Sequence, residues 1–159
     1  MRIDNRAERY PLSAPSTSTP TASPTARSTP TTIDVCALVN QEDAQTLAET
    51  PLNPGQAGNP NNPSCTYNGP VSGPVARVQV YVGDGAKKAL DIDRMLGHMF
   101  TAVSGMGDEA YEEADNIYLR KSTAWVWIHL VLLNDPAQNR LPLERLATKV
   151  AAQLVALGL

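Results

Sequence analysis

The sequence has few aromatic side chains, no excess of basic residues and no long hydrophobic run. Aromatic residues make up 5% of its 159 residues, and 13 basic against 16 acidic side chains give a net charge of −3. This balance provides no broad electrostatic footprint for nucleic acid or an anionic membrane surface. No run of about 18 apolar residues occurs, so we expect no membrane span in this chain. The length suits one ordinary domain, or a smaller domain with a tail.

Residues 1–32 differ in composition from the rest of the chain. From Pro11 to Thr32, 17 of 22 residues are Ser, Thr or Pro. Such a segment buries too little apolar surface to offset the entropy lost on ordering. We therefore predict a disordered, Ser/Thr/Pro-rich stalk over residues 1–32 and a single domain over residues 33–159. The stalk has a net charge of +2, which leaves −5 for the domain.

Stalks of this composition are common at cell surfaces, which favours export. Residues 1–10 nevertheless lack the basic end and apolar core of a secretion signal. Either the true signal or anchor lies upstream, or the protein is cytosolic and the stalk is an ordinary linker. We favour an extracellular or cell-envelope protein, tethered by its stalk, with a possible lipid anchor upstream.

Cys36 and Cys65 are the only two cysteines, and their spacing fits neither a CxxC motif nor a zinc finger. In an exported protein they predict one disulfide, which would close a loop rich in Pro and Gly and stabilise it by about 3 to 4 kcal/mol. The alternative is two buried free thiols in a cytosolic protein.

The first half of the domain predicts one helix and two strands. Asn40 followed by acidic residues is typical of a capped helix start, so we expect a helix over about residues 41–49. Thr66 and Tyr67 predict a short strand. Residues 75–82 alternate, with valines on one face, and predict a half-buried strand.

A second helix is predicted over residues 86–100, with Asp84 placed to cap it. Its apolar side chains recur at helical spacing, as is typical of a helix with one apolar face. They are Ile92, Met95, Leu96, Met99 and Phe100.

Three consecutive strands are predicted over residues 110–114, 117–121 and 124–133, with two-residue turns at 115–116 and 122–123. The third strand is apolar on both faces, so we expect it at the centre of a sheet, covered on both sides. A final helix from about Pro142 should pack on the sheet. The predicted order is α-β-β-α-β-β-β-α, an α+β fold in which helices pack on an antiparallel sheet, with one disulfide.

Several short segments occur in an order that resembles a known group of proteins. They are residues 33–39 (IDVCALV), 64–67 (SCTY), 106–111 (MGDEAY) and 118–121 (YLRK), followed by a Leu/Ala-rich helix. The order resembles secreted actinobacterial-type lipoprotein domains of unknown function, and is distantly similar to the extracellular sensor domain of PknH-type Ser/Thr kinases. The resemblance implies an envelope-facing α+β domain with a disulfide. It transfers no catalytic residues, and this chain has the tether of such lipoproteins without their lipidation motif.

The densest acidic cluster could serve a cation or a basic partner. Its members are Asp108, Glu109, Glu112, Glu113 and Asp115. Alternation should place Glu109, Glu113 and Asp115 on one strand face and the other two on the opposite face, which does not make a metal cage. We therefore favour a solvated edge strand whose charges discourage aggregation over a metal site.

The two histidines and two tryptophans supply the remaining candidates. His98 and His129 are the only side chains suited to act as a base near neutral pH. Trp125, Trp127 and His129 should share one strand face. If a helix covers that face they belong to the core, which we favour; if the face is concave and open they could line a pocket for an apolar or sugar-like ligand.

The leading functional interpretation is an exported, envelope-displayed, non-enzymatic domain that binds a small ligand or an envelope protein, without a cofactor. The alternatives are a small envelope hydrolase using His98 or His129, and a purely structural surface module. The stalk, the expected disulfide and the absence of a recognisable catalytic motif favour display over turnover.

Overall fold

Residues 32–159 are described in the computed structural model, and the predicted stalk lies outside them except for Thr32. The helices are α1 (Val35–Leu38), α2 (Gln41–Ala48), α3 (Asp84–Met95) and α4 (Pro136–Ala156). The strands are β1 (Gln56–Ala57), β2 (Ser64–Asn68), β3 (Ala76–Val82), β4 (Thr101–Ala102), β5 (Glu109–Glu113), β6 (Asn116–Lys121) and β7 (Ala124–Leu132).

The seven strands form one antiparallel sheet in the order β1-β2-β3-β7-β6-β5-β4. This confirms the α+β class, the meander of the last three predicted strands and the central place of β7. The short elements α1, β1 and β4 were not predicted from the sequence. Because β4 pairs with β5, the predicted edge position of the acidic strand β5 is wrong.

Alternation in β3 and β7 builds the main core. The valines of β3 are buried on one face, and Val80 pairs with Ile128 across the strands. Buried side chains of α2 and α4 complete the same cluster. The apolar stripe of α4 is buried as predicted, and comprises Leu143, Leu146, Ala147, Val150, Ala151 and Leu154.

Helix α2 begins and ends close to the predicted residues. The side chain of Asn40 accepts a hydrogen bond from the Asp43 N–H at 3.0 Å, as expected for a helix cap. The helix ends where Glu49 adopts a left-handed conformation, with φ of 52°.

Helix α3 differs from its prediction at both ends. Gly83 occupies the cap position without a side-chain hydrogen bond, and Asp84 is the first helical residue rather than the cap. The helix ends at Met95 instead of residue 100, because Gly97 turns the chain with φ of 82°. Only Ala86 and Leu90 of this helix are buried.

Helix α4 begins at Pro136, six residues before the predicted start at Pro142. Asp135 caps it by accepting a hydrogen bond from the Ala137 N–H at 3.0 Å. Pro142 lies inside the helix, where it cannot donate to the carbonyl four residues before it. Within residues 32–159, no helix is both long and apolar enough to cross a membrane.

One of the two turns that join β5, β6 and β7 lies at the predicted residues. Ser122 and Thr123 form the predicted turn, with φ of Ser122 at 53°. The other turn lies at Ala114 and Asp115, one residue earlier than predicted, since Asn116 already pairs with Glu113 in the sheet.

Cys36 and Cys65 form the expected disulfide, which joins α1 to β2 with a Cα–Cα distance of 5.2 Å. The intervening segment is more closely packed than its Pro and Gly content suggested. Leu52 is buried, and the Gly58 N–H donates to the Ser64 carbonyl at 2.8 Å. A Cβ on Gly55 would lie 2.8 Å from the sulfur of Cys65, so this glycine allows the loop to lie directly on the disulfide.

Candidate functional site

The face of the sheet opposite the main core is covered in part by helix α3 and has a smaller set of buried side chains. We call it the α3 face. Helix α3 packs on this face against β3 and β7. Ala86, Leu90 and Tyr118 are buried there and lie outside the main core cluster. The three residues predicted as a weak ligand site, Trp125, Trp127 and His129, do share a strand face, and it is the α3 face, where all three are half-buried.

Aromatic rings from adjacent strands form a row across the α3 face. Trp127 of β7 stacks on Tyr81 of β3, with ring centroids 4.9 Å apart, and on Tyr118 of β6 at 5.6 Å. His129 stacks on the same indole at 5.5 Å. Phe100, from the segment after α3, meets Tyr118 edge-on at 5.9 Å. The row therefore ties α3's C-terminal segment to three strands.

Trp127 is held by contacts on its ring faces and at its edge. Tyr81 and Tyr118 lie on the strands either side of β7, and both rings are within 20° of parallel to the indole. The indole N–H donates to the side-chain oxygen of Asn116 at 2.9 Å. A sugar or aromatic ligand that stacks on Trp127 would have to compete with these neighbours.

His129 lies in an environment that favours its neutral form. Burial is the main cause that lowers the pKa of its imidazole; the charge of Asp115 opposes this, Arg77 on the neighbouring strand lowers the pKa further, and Asp93 opposes it least. Neutral imidazole is the form that acts as a base or metal ligand. Its stacking on Trp127 makes it a member of the aromatic row.

The turn that ends α3 places His98 beside Asp93. The His98 backbone N–H donates to the Asp93 carbonyl at 3.0 Å, and the Gly97 N–H donates to the Arg94 carbonyl at 3.1 Å. These two bonds define a Schellman motif, which requires a left-handed residue that glycine supplies without strain. The chain therefore turns back at the end of α3, which brings His98 next to Asp93.

Glu113, the last residue of β5, contacts His98 from the sheet side. His98 Nδ1 lies 2.8 Å from its Oε1. This hydrogen bond raises the pKa of His98, with further contributions from the negative charges of Glu113 and Asp93. One donor atom from each of Asp93, His98 and Glu113 lies within 4.8 Å of the others. The structure thus brings together three potential metal ligands from a helix, a turn and a strand.

Tyr118 contacts this cluster through a hydrogen bond to Asp93. Its hydroxyl donates to Oδ2 of Asp93 at 2.6 Å, and the side chain is fully buried. Burial and the adjacent Asp93 carboxylate raise the pKa of the phenol above its usual range. The phenol therefore stays protonated and acts as a fixed donor that orients Asp93.

The acidic cluster is divided among separate partners. Asp108 accepts from the Ser122 N–H and from Lys121, and these contacts lower its pKa. Glu109 accepts from Arg120 and from the Tyr111 hydroxyl, which lowers its pKa as well. The negative charges of these two carboxylates are therefore balanced by Lys121 and Arg120 of β6.

The other acidic residues lie near α4 or α3. Glu112 on β5 contacts Arg140 of α4 at 2.7 Å, although burial raises its pKa. Asp115 accepts from the side chain of Asn139 at 2.7 Å. Asp115 therefore lies towards α4, and its predicted place on one face with Glu109 and Glu113 is wrong, because it lies in the turn beyond the strand. Only Glu113 belongs to the cluster with His98.

Large apolar side chains are exposed at the C-terminal end of α3. Ile92, Met95, Leu96 and Met99 are 53%, 84%, 70% and 87% exposed, and we call them the α3 apolar patch. Arg94 between them lies over the ring of Tyr111, 4.4 Å from its centroid. Met99 also lines a depression of about 200 Å³ with Glu113 and Arg140. The predicted apolar face of this helix thus points largely to solvent.

Asp93, Tyr118 and the exposure of the α3 apolar patch were not identified from the sequence. The glycine four residues after Asp93, followed directly by His98, is the pattern that could have predicted their approach, since a Schellman turn joins these positions. The contribution of Glu113 depends on where β5 ends relative to that turn, which local sequence does not specify.

Comparison of the chain with protein-family models, with curated proteins and with solved structures found no match.

Proposed function

We propose that this protein is an exported, envelope-displayed, non-enzymatic domain that binds a partner protein through the α3 apolar patch. The observation that carries the proposal is the exposure of four large apolar side chains within eight residues of chain. Isolated exposed apolar residues are ordinary on protein surfaces, whereas a concentration of them marks an interaction site.

The composition of the patch fits a protein contact. Burying each of these side chains would contribute about 1.5 to 3 kcal/mol. Two are methionines, whose flexible thioethers adapt to irregular apolar surfaces. Charged groups border the patch, with Asp93 and Arg94 on the helix and Glu113 on β5. An apolar centre with a polar rim is the usual anatomy of an interface.

A protein partner suits this surface better than a small ligand bound to Trp127. The near-parallel rings of Tyr81, Tyr118 and His129 already lie within 5.6 Å of the Trp127 ring, measured between centroids. A small apolar ligand would need an enclosed site, whereas the side chains of the patch are 53% to 87% exposed. The partner we expect is an envelope protein that presents an apolar concave surface.

Export is supported by three features that agree. The Cys36–Cys65 disulfide is of a kind that persists in oxidising compartments. The Ser/Thr/Pro-rich segment has the composition of a surface stalk. The resemblance to secreted lipoprotein domains points in the same direction.

Site-specific photo-crosslinking in the native host tests the partner surface. A photoreactive amino acid at Met99 should give one discrete adduct with an envelope protein, and Leu96→Asp should abolish it. Val71 is equally apolar, fully exposed and distant in sequence, and is the matched control position. No adduct, the same adduct from Val71, or an adduct between two copies of this chain would contradict the proposal.

Labelling of intact cells tests export separately. A membrane-impermeant amine reagent should modify the exposed lysines of the chain while leaving a cytosolic marker unmodified. Modification that requires cell lysis would place the protein in the cytosol and remove the proposed display.

The alternative of a small envelope hydrolase is favoured by one observation, the 2.8 Å contact between His98 and Glu113. A carboxylate that orients an imidazole is one part of an acid–base pair, but a hydrolase also needs an activated nucleophile. Hydrolysis of a p-nitrophenyl ester above the buffer rate, lost in His98→Gln and kept in His129→Gln, would favour this alternative.

A further inference from the structure

We propose that Asp93, His98 and Glu113 form a binding site for a divalent transition-metal ion of the zinc class. The site lies where the C-terminal end of α3 meets the end of β5. The site is defined by ligand atoms rather than by exposed apolar side chains, and two of the ligands, Asp93 and Glu113, also border the proposed partner surface.

The distances between donor atoms are close to those of a metal site. A zinc ion with ligands at about 2.1 Å in tetrahedral geometry separates them by about 3.4 Å. His98 Nδ1 and Glu113 Oε1 are 2.8 Å apart, and the three donor atoms all lie within 4.8 Å of one another. Binding would release the proton shared by His98 Nδ1 and Glu113 to solvent. Small side-chain rotations would then bring all three donor atoms to bonding distance without moving the backbone.

The fold holds the ligands before any ion binds. The Schellman bond from the His98 N–H to the Asp93 carbonyl fixes the spacing of two ligands. Tyr118 donates to Oδ2 of Asp93, which leaves Oδ1 available for an ion. An outer hydrogen bond to a ligating carboxylate is the usual way proteins orient such ligands.

The donor set favours zinc over calcium or magnesium. One imidazole nitrogen with two carboxylates suits borderline transition metals, whereas calcium takes six to eight oxygen ligands. Three protein ligands leave one tetrahedral position for water or for a donor from another molecule.

The local charges also favour a cation. Two carboxylates face the site, and the carbonyl end of α3 adds partial negative charge. The nearest basic side chain on the helix, Arg94, is turned over the rings of Tyr111 and Phe100, at 4.4 and 5.9 Å from their centroids.

Calorimetric titration of the full chain with Zn²⁺ tests the site. We expect one zinc ion per chain, with affinity reduced at least about tenfold in His98→Gln and in Asp93→Asn. His129→Gln is the matched control, because it removes the other histidine of the chain and should leave zinc binding unchanged. Asp91→Asn controls for loss of a charge on the same helix.

Urea unfolding of each variant separates loss of ligation from loss of folding. Added zinc should raise the unfolding midpoint of the wild type and of His129→Gln, and should raise that of folded His98→Gln clearly less at the same zinc concentration. The inference is overturned if the wild type takes up no zinc, if His98→Gln binds it as tightly as the wild type, or if calcium binds with equal affinity.

Discussion

The Tyr118 hydroxyl donates a 2.6 Å hydrogen bond to Oδ2 of Asp93 and so joins β6 to the last turn of α3. The ring of Tyr118 also stacks on Trp127. One buried side chain therefore links the aromatic row to the cluster of Asp93, His98 and Glu113.

Tyr118→Phe should keep the stacked ring but leave the Asp93 carboxylate without its buried donor. We expect the free energy of unfolding to fall by about 1 to 3 kcal/mol. Urea denaturation measures the change. Tyr81→Phe is the matched control, since its hydroxyl takes part in a longer 3.3 Å contact with Gln79 and it should cost less than about 1 kcal/mol. Equal effects of the two substitutions would contradict the assigned role of Tyr118.

Removing the disulfide by replacing both Cys36 and Cys65 with alanine should destabilise the domain. The crosslink spans 29 positions, and constraint of the unfolded chain by a loop of that length is worth about 3 to 4 kcal/mol. Wild type in reductant should match the double variant, whose own stability should not respond to reductant. If wild-type stability is the same with and without reductant, the disulfide does not contribute as described.

Gly55→Ala should destabilise the domain, because the added Cβ would lie 2.5 Å from the Tyr67 ring and 2.8 Å from the Cys65 sulfur. Overpacking at such a site costs about 1 to 3 kcal/mol. Thermal or urea unfolding measures the loss. Gln56→Ala, at the next and exposed position, should have little effect, and a Gly55→Ala protein as stable as that control would refute the close approach.

His129 should make the domain less stable as pH falls. Burial lowers its folded-state pKa below the ordinary 6.5, and this effect outweighs the opposing charge of Asp115; Arg77 and Asp93 make smaller contributions of opposite sign. The unfolded chain therefore takes up a proton that the folded chain resists, so the free energy of unfolding decreases as pH drops below about 6.5. Above that pH both states are neutral at this position and the effect vanishes.

His129→Gln is expected to remove this part of the pH dependence. The difference in unfolding free energy between wild type and variant, measured in metal-free buffer from pH 7.5 to pH 5, isolates it. His98 has a raised pKa and acts in the opposite direction, but it is present in both proteins and cancels in the difference. A difference that does not change with pH would show that the burial of His129 does not affect its protonation.

Elements with strong periodic patterns were predictable from the sequence. The valines of β3 and the stripe of α4 bury as their spacing indicates, and β7, apolar on both faces, lies at the centre of the sheet. The predicted start of α4 near Pro142 is wrong, because the helix begins at Pro136 and includes Pro142.

The end of α3 was not predictable in the same way. Ile92, Met95 and Leu96 have the spacing of a buried helix face, and this spacing is identical whether such a face meets the core or the solvent. Gly97 and the register of β5 decide the outcome, and together they produce the cluster of Asp93, His98 and Glu113. Non-local pairing of this kind has no local sequence signal.

The position of β7 makes completion of the sheet depend on a segment that comes late in the described part of the chain. Among the strands of residues 32–159, β7 comes last in the sequence, yet it lies between β3 and β6 and joins the two halves of the sheet. A nascent chain that lacks β7 presents two separate half-sheets, each with an open edge. Chains truncated before residue 124 should therefore remain sensitive to protease, whereas chains that include β7 can close the sheet and should gain resistance.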